Sequence, residues 1–486
     1  MTARRRHFLF CILAGLCFAA AQAPIGIWPL VLVGFALSVW LLTQASTVKR
    51  AAWTGWAIGF SYFAASLNWL IEPFLVDAAR HAWMAPFALA GMAGGLALFW
   101  ALPFAIANRF GKPASVLALW PLAEYARSTI FSGFPWGLQA YAWIDTPLAQ
   151  IAAIVGPYGL GAVTLFIAAL PVLWDWRKGG AVGVMCLGVL AFVGMAQLKT
   201  DASAPPDAPI IRLTQPNAPQ HQKWDSDFMG VFFARQIQAT QAAPKPDLIV
   251  WPETSLPNWL NDAEFTLANI SDAAQGVPVL IGAQRYEGRS AFNSLAVLDA
   301  DGALGKVYDK HHLVPFGEYL PLTGLMSRLG LKAMTETFGG FKAGAGPELI
   351  DLGPLGKTLP LICYEAVFPH QMQSAEGRPD FLLHVTNDAW FGTWSGPYQH
   401  LVQAQFRAIE QGLPLMRSAN TGVTAAIDAH GRITESIALG LSGHIDAALP
   451  PPLAPTFYSR LGDIPALIAL LLLLIATHLP YRPVKD

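Results

Sequence analysis

Residues 8 to about 198 are built from long apolar runs with few charges. Residues from about 200 to 455 alternate short apolar runs with polar stretches. Residues 464–479, IPALIALLLLLIATHL, are apolar again. A bilayer-spanning helix needs ~20 consecutive apolar residues, with a range of ~17–25. By that measure seven segments precede the middle region (8–22, 26–43, 53–75, 83–107, 114–131, 155–174 and 181–197), and an eighth, 463–480, follows it. The pattern predicts a multi-span α-helical membrane domain of about eight spans plus an α/β domain outside the membrane. Its boundaries are transmembrane helices over 1–199, a globular domain over 200–456, and a last span with a short tail over 457–486. The polar, Pro-rich stretches 200–208 and 450–456 read as linkers into and out of the globular domain.

Within that domain, apolar runs of five to eight residues bounded by Pro, Gly, Asn and Asp predict buried strands at 209–215, 247–252, 277–284, 292–299, 305–309, 357–363, 380–386, 414–419 and 423–428. Helical patterns fall at 226–243, 262–274, 365–376 and 397–411. Strands alternating with helices give a layered α/β domain.

Charge adds an orientation. Arg4, Arg5 and Arg6 precede the first span. Lys49 and Arg50 follow the second, Arg109 and Lys112 the fourth, Arg177 and Lys178 the sixth, and Arg482 and Lys485 the eighth. With eight spans these all fall on one side. The positive-inside rule therefore puts both termini in the cytoplasm and the globular domain on the opposite face. The first segment, with Ala19-Ala20-Ala21-Gln22-Ala23 after its apolar run, also has the form of a signal peptide. The six spans that follow favour a membrane helix. A net charge of −1 over 486 residues gives no electrostatic case for nucleic acid.

Of the 4 cysteines, Cys11, Cys17 and Cys186 lie in apolar spans, and Cys363 is the one in the globular domain. It has no disulfide partner there, and a lone thiol on an oxidising face is a chemical liability. That points to Cys363 being kept for its reactivity. Cys363 follows the strand-like run Leu359-Pro360-Leu361-Ile362 and opens a helical pattern with Tyr364 and Glu365. Helix-start N–H groups are expected to lower its thiol pKa and to hold an oxyanion. Glu253, in Trp251-Pro252-Glu253, ends another apolar run. Desolvation there is expected to raise its pKa and suit it as a general base. Lys310 ends a third run and is placed to stabilise an oxyanion. Glu318, in Pro315-Phe316-Gly317-Glu318-Tyr319, is a second carboxylate that orients Lys310 or Glu253. His311 and His312 read as structural. Trp224, Trp390 and Phe391 are expected acyl-chain contacts. Glu124 and Arg127, three apart in the fifth span, read either as a mutual pair or as a lipid head-group site. No metal spacing, phosphate loop or dinucleotide fingerprint is present, so no cofactor is expected.

Trp-Pro-Glu, the block Lys310-His311-His312-Leu313-Val314-Pro315-Phe316-Gly317-Glu318-Tyr319 and Cys363-Tyr364-Glu365 resemble the three signature blocks of the nitrilase, or carbon-nitrogen hydrolase, superfamily. With the flanking spans, nearly the whole chain resembles the membrane-embedded apolipoprotein N-acyltransferase family of bacteria. Gly133-Phe134-Pro135-Trp136, Gln215-Pro216-Asn217, Lys223-Trp224, Asn387-Asp388-Ala389-Trp390-Phe391-Gly392 and Arg417-Ser418-Ala419-Asn420-Thr421-Gly422 extend the match. The resemblance implies an αββα sandwich on the periplasmic side of the inner membrane. It also implies a ping-pong reaction. Cys363 takes an acyl chain from a phospholipid as a thioester and passes it to the α-amine of a diacylglyceryl-modified apolipoprotein. Glu253 is then the base, Lys310 the oxyanion partner, and Glu318, Tyr364 and Glu365 supporting residues. The expected partners are the two lipid substrates and the bilayer, with the protein a monomer. Two other readings stay open from the residues alone: a membrane-anchored amidase in which water is the second nucleophile, and a transporter or lipoprotein receptor without catalysis.

Overall fold

The computed structural model describes residues 3–321 and 340–479. Arg482 and Lys485, used above for orientation, lie outside them, as does the end of the eighth expected span at 480. By contacts the chain divides into two units. The first is Met1–Asp201 with Trp394–Val402 and Pro455–Asp486, and the second is Ala202–Thr393 with Gln403–Ala454. Residues 394–402, which the sequence reading placed in the globular domain, group with the first unit.

The first unit is helical. Each of the eight apolar segments contains a helix: Ala3–Ala21, Pro29–Thr43, Val48–Ser66, Ala85–Arg109, Val116–Thr129, Ala152–Leu173, Trp176–Gln197 and Ile464–His478. Three helical stretches, Ala78–Arg109, Pro147–Leu173 and Trp176–Gln197, are long and apolar enough to cross a membrane, while Pro29–Thr43 and Ile464–His478 are apolar but shorter. The third expected span, 53–75, is cut short: its helix ends at Ser66, and a 3-10 stretch, Asn68–Leu75, carries Pro73. Trp176–Gln197 turns Val184, Met185, Val189 and Phe192 outward, each more than half exposed. An outward apolar surface of this kind suits lipid as the surrounding medium.

Aromatic packing holds this unit together. Phe18 meets Phe35 and Trp100 edge-on, Tyr62 stacks on Trp100 at 5.2 Å, and Trp120 closes the cluster against Trp100 at 4.7 Å. Helices Val48–Ser66 and Ala85–Arg109 approach closely because Gly55 lies against the other backbone, where an added Cβ would come within 2.4 Å of Trp100 O.

Glu124 and Arg127 form a mutual pair. Arg127 Nη2 donates to Glu124 Oε2 at 2.6 Å, and Arg127 Nε donates to Oε1 at 3.3 Å. Trp100 Nε1 also donates to Oε1 at 2.6 Å. Arg127 Nη1 donates to the carbonyls of Phe134 and, at 3.0 Å, Trp136. The guanidinium therefore staples the Gly133–Trp136 loop, and its donors are spent on protein rather than held for a head group. Breaking a buried pair strands the remaining charge, at a cost of ~3–5 kcal/mol. Arg127→Met is accordingly expected to lower the unfolding temperature of the detergent-solubilised protein. Adding Glu124→Gln is expected to recover part of the loss, measured by thermal unfolding of both variants.

The second unit has twelve strands among the described residues: β1 Ile210–Gln215, β2 Leu248–Val250, β3 Val279–Glu287, β4 Ser290–Leu298, β5 Leu304–Asp309, β6 Ile350–Asp351, β7 Lys357–Ile362, β8 Phe381–Thr386, β9 Leu415–Ala419, β10 Thr424–Ile427, β11 Ile433–Ile437 and β12 Gly443–Ala448. They form two six-stranded sheets, ordered β12-β1-β2-β3-β4-β5 and β11-β10-β9-β8-β7-β6. β1, β2 and β3 run parallel, as do β7, β8 and β9, and the outer pairings are antiparallel. The parallel strands are largely buried because both of their faces are covered, and the shortest of them, β2, is wholly apolar. One face of each sheet meets the other in a shared core that includes Leu213, Val250, Leu280, Ile362, Leu383 and Met416. Helices Ser226–Gln241 and Glu264–Ala274 cover the outer face of the first sheet, with Ile237, Leu267 and Ile270 against Ile249, Trp251 and Ile281. This is the layered α/β domain that the strand and helix pattern predicts, with the two facing sheets that the family resemblance implies.

The helix expected over 365–376 is replaced by two 3-10 turns, Cys363–Val367 and Pro369–Gln373. Phe368 between them is extended (φ −96°, ψ 103°), as its position before Pro369 demands.

Candidate active site

Three strand ends converge. β2 ends three residues before Glu253, β7 ends at Ile362 beside Cys363, and β8 ends at Thr386 beside Asn387 and Asp388. Crevices at the carboxyl ends of parallel strands are where α/β folds place their chemistry.

Cys363 is buried and has a left-handed backbone, φ 51°. A non-glycine residue in that region costs about 1–3 kcal/mol, so its surroundings must hold it there. Glu365 does so from one side: its Oε2 accepts from Ile362 N at 2.7 Å. A closed ring of polar groups does so from the other. His384 Nε2 donates to Cys363 O at 3.2 Å, and Arg417 Nη1 donates to His384 Nδ1 at 2.7 Å. Arg417 Nη2 donates to Asp388 Oδ2 at 2.5 Å, and Asp388 Oδ1 accepts from the Thr386 hydroxyl at 2.9 Å. The Thr386 hydroxyl also hydrogen-bonds the Cys363 thiol. The Arg417 bonds fix the His384 tautomer with its proton on Nε2.

The expected helix-start thiol is not what forms. The turn after Cys363 is a short 3-10 element, and burial pushes the thiol pKa well above its ordinary value. The Glu253 charge pushes it further in the same direction, while Lys310 and the Thr386 hydrogen bond oppose it. At neutral pH the Cys363 thiol is protonated, so any attack by its sulfur would need a base.

Glu253 is buried and held at both oxygens. Oε1 accepts from Asn293 Nδ2 at 2.7 Å and lies 3.6 Å from Lys310 Nζ, and Oε2 accepts from Asn387 N at 2.8 Å. Lys310 Nζ donates to Glu318 Oε1 at 2.9 Å. Asn293 Nδ2 reaches the same oxygen at 3.1 Å, and Glu318 Oε2 accepts from Val314 N at 2.8 Å. Burial alone would lower the Lys310 pKa. Glu318 and Glu253 outweigh it and hold the ammonium above its usual range. Glu253, Lys310 and Cys363 thus form one electrostatically coupled set, with Glu318 orienting Lys310.

Glu365 works away from the thiol. It accepts from the backbone N–H of His311 and His312 and from the Tyr308 hydroxyl, and it pairs with His311 Nδ1 at 2.6 Å. Burial would raise its pKa, but His311 outweighs that and lowers it. Glu365 therefore ties the loop after Lys310 to the turn that carries Cys363. Tyr364 packs edge-on to Phe368 at 4.9 Å, and His312 lies against the same Phe368 at 3.8 Å. Trp224 and Trp390 are large aromatics with substantial exposure, whereas Phe391 packs against the core between the sheets. A small open cleft is bordered by Lys223, Trp224, Phe232, Glu253, Leu256 and Asn420.

Sequence reasoning missed Asn293, Thr386, His384 and the buried side of Lys223. Asn293 had a signal: an amide inside the otherwise apolar run of β4, which needs a buried partner. Lys223 and Asp388 lay in quoted blocks without an assigned role.

The chain is similar to known proteins along most of its length. The family described as "Apolipoprotein N-acyltransferase N-terminal domain" matches residues 14–170, and "Carbon-nitrogen hydrolase" matches residues 213–452. An apolipoprotein N-acyltransferase from Rhodopseudomonas palustris is 39% identical over 98% of this chain and 96% of its own length. One from Brucella melitensis is 37% identical over 97% of this chain and 95% of its own. A carbon-nitrogen hydrolase from Helicobacter pylori, known from its crystal structure, aligns over 49% of this chain and 88% of its own at 18% identity and a TM-score of 0.37.

Proposed function

The chain belongs to the apolipoprotein N-acyltransferase family, and from that premise we propose that it N-acylates lipoproteins by a two-step transfer through Cys363. In the first step Glu253 takes the Cys363 proton and the sulfur attacks an ester carbonyl of a membrane phospholipid. Lys310 faces the oxyanion that forms. Collapse breaks the ester C–O bond, the departing lysophospholipid oxygen takes the proton back from Glu253, and a thioester remains on Cys363. In the second step the free α-amine of a diacylglyceryl-cysteine attacks the thioester. Glu253 accepts a proton from nitrogen, Lys310 again faces the oxyanion, and the sulfur leaves and is reprotonated. The products are an N-acylated lipoprotein and the resting thiol. Splitting one ester-to-amide exchange at a single nucleophile lets two lipid substrates use one pocket in turn.

The observation that carries this reading is the coupled set of Glu253, Lys310 and Cys363, which pairs a protonated buried thiol with a fixed carboxylate and a fixed cation. For topology, the reading keeps eight membrane crossings, both termini in the cytoplasm and the catalytic domain of 200–456 on the periplasmic face of the inner membrane. The alternation of Lys49 and Arg50, Arg109 and Lys112, and Arg177 and Lys178 supports it. Trp224, Trp390 and Phe391 are the proposed acyl-chain contacts, and the enzyme acts as a monomer.

Product analysis separates transfer from hydrolysis. With phospholipid and a diacylglyceryl-cysteine peptide, one lysophospholipid is expected per N-acylated peptide. Free fatty acid in place of acylated peptide would make the enzyme a hydrolase.

A further inference from the structure

Lys223 is a buried lysine that the two-step scheme leaves without a task. Its Nζ donates to Thr254 Oγ1 at 2.6 Å and to Glu253 O at 3.2 Å. The turn it grips is unusual. Thr254 has a left-handed backbone, φ 46°, which a β-branched residue adopts only under constraint. The opposite side of the turn is closed by β3. Ser255 N donates to Gly282 O at 2.7 Å, and a Cβ on Gly282 would come within 2.1 Å of Pro252 O. The Pro252–Thr254 segment is therefore clamped between Gly282 and the Lys223 ammonium. That clamp sets where the Glu253 carboxylate points.

The charge of Lys223 matters as well as its hydrogen bonds. The titratable groups that act on it are Glu253 and Cys363, each from another element. Lys310 faces the same two groups. The site thus has two cations, Lys223 and Lys310, against two carboxylates, Glu253 and Glu318, beside one thiol, with Glu318 paired to Lys310.

We propose that Lys223 is a positioning residue for Glu253: its ammonium clamps the Pro252–Thr254 turn and supplies the second positive charge under which Cys363 is acylated. The inference rests on the reading of Glu253 and Cys363 given above. It has a pH signature. Burial lowers the Lys223 pKa to about 8, against the pull of Glu253 and Cys363. The ammonium is present below that pH and lost above it. The Cys363 thiol, pushed far up, stays protonated through the same range. Acylation should therefore fall as pH rises through about 8.

The test follows the rate of acyl-adduct formation on the full-length protein in mixed micelles of detergent and a bacterial phospholipid extract. It is read by intact mass from pH 6 to pH 10 for wild type, Lys223→Met and Lys223→Arg, with an unfolding temperature for each. Wild type should show a descending limb near pH 8. Lys223→Met should react about tenfold more slowly at pH 7, the size of a one-unit change in a neighbour's ionisation, and should lose the limb. Lys223→Arg, which keeps its charge throughout, should be closer to wild type at pH 7 and also lose the limb. Wild-type rates in Lys223→Met would overturn the proposal. So would a uniform slowing that keeps the limb, because a purely structural lysine would act that way. A wild-type protein that forms no adduct at any pH would instead overturn the reading of Cys363 on which the proposal rests.

Discussion

Replacing Cys363 by alanine is expected to abolish acyl transfer, by roughly 10⁴-fold or more, while the protein still folds. The thiol is buried among Ile362, Leu383 and the other residues between the sheets, and it contributes little packing volume. Its backbone φ of 51° is imposed by Glu365 and His384, whose bonds go to backbone atoms that alanine keeps. Alanine therefore removes the nucleophile and leaves the turn. Release of lysophospholipid and formation of N-acylated peptide should disappear together, since in the proposed scheme both steps pass through one sulfur. An unfolding temperature within a few degrees of wild type completes the expectation. Lysophospholipid release that survives in Cys363→Ala would place the first step on another group.

Replacing Glu253 by glutamine should separate reactivity from catalysis. The carboxylate has two effects of opposite sign. Its charge raises the thiol pKa, while in the proposed scheme its free electron pair removes the thiol proton during attack. Glutamine has the same shape and can still accept from Asn387 N, but it is neutral and is not a base. Loss of a positioned general base typically costs ~10²–10⁴-fold, so acylation by phospholipid should fall by that factor. Alkylation of Cys363 by iodoacetamide, which reads thiolate population alone, should instead speed up near neutral pH, because one negative neighbour is gone. A parallel fall in both rates would mean that Glu253 supports the local fold more than it moves a proton.

The site was more legible in the sequence than its geometry. Glu253, Lys310 and Cys363 each follow a strand-like run, and in the second unit those runs are β2, β5 and β7. Nine strands could be read because short, mostly apolar runs are bounded by Pro, Gly, Asn and Asp. β11 and β12 were missed because the first is largely exposed and the second is polar and opens on glycine, so neither carries an apolar signal. β6 is two residues long and gives no periodicity. The periodicity over 365–376 predicts a helix, but Pro369 keeps Phe368 out of helical backbone and splits the stretch into two 3-10 turns. The sign of the Cys363 shift depends on how deeply the thiol is buried and on Glu253 reaching it from 110 residues away in the chain. Neither is written in the local sequence. Helix length is the remaining gap. Eight apolar segments become eight helices, but among the described residues three helical stretches have the length and apolarity of a full crossing.

The central claim is that an acyl chain resides covalently on Cys363 between two lipids, and the most direct measurement is the intact mass of the protein after incubation with phospholipid alone. The account predicts an added acyl mass that maps to Cys363 and is released by hydroxylamine. A diacylglyceryl-cysteine peptide with a free α-amine should discharge it faster than buffer does. An unmodified protein that nevertheless N-acylates the peptide would contradict the account, because the acyl chain would then pass directly from one lipid to the other.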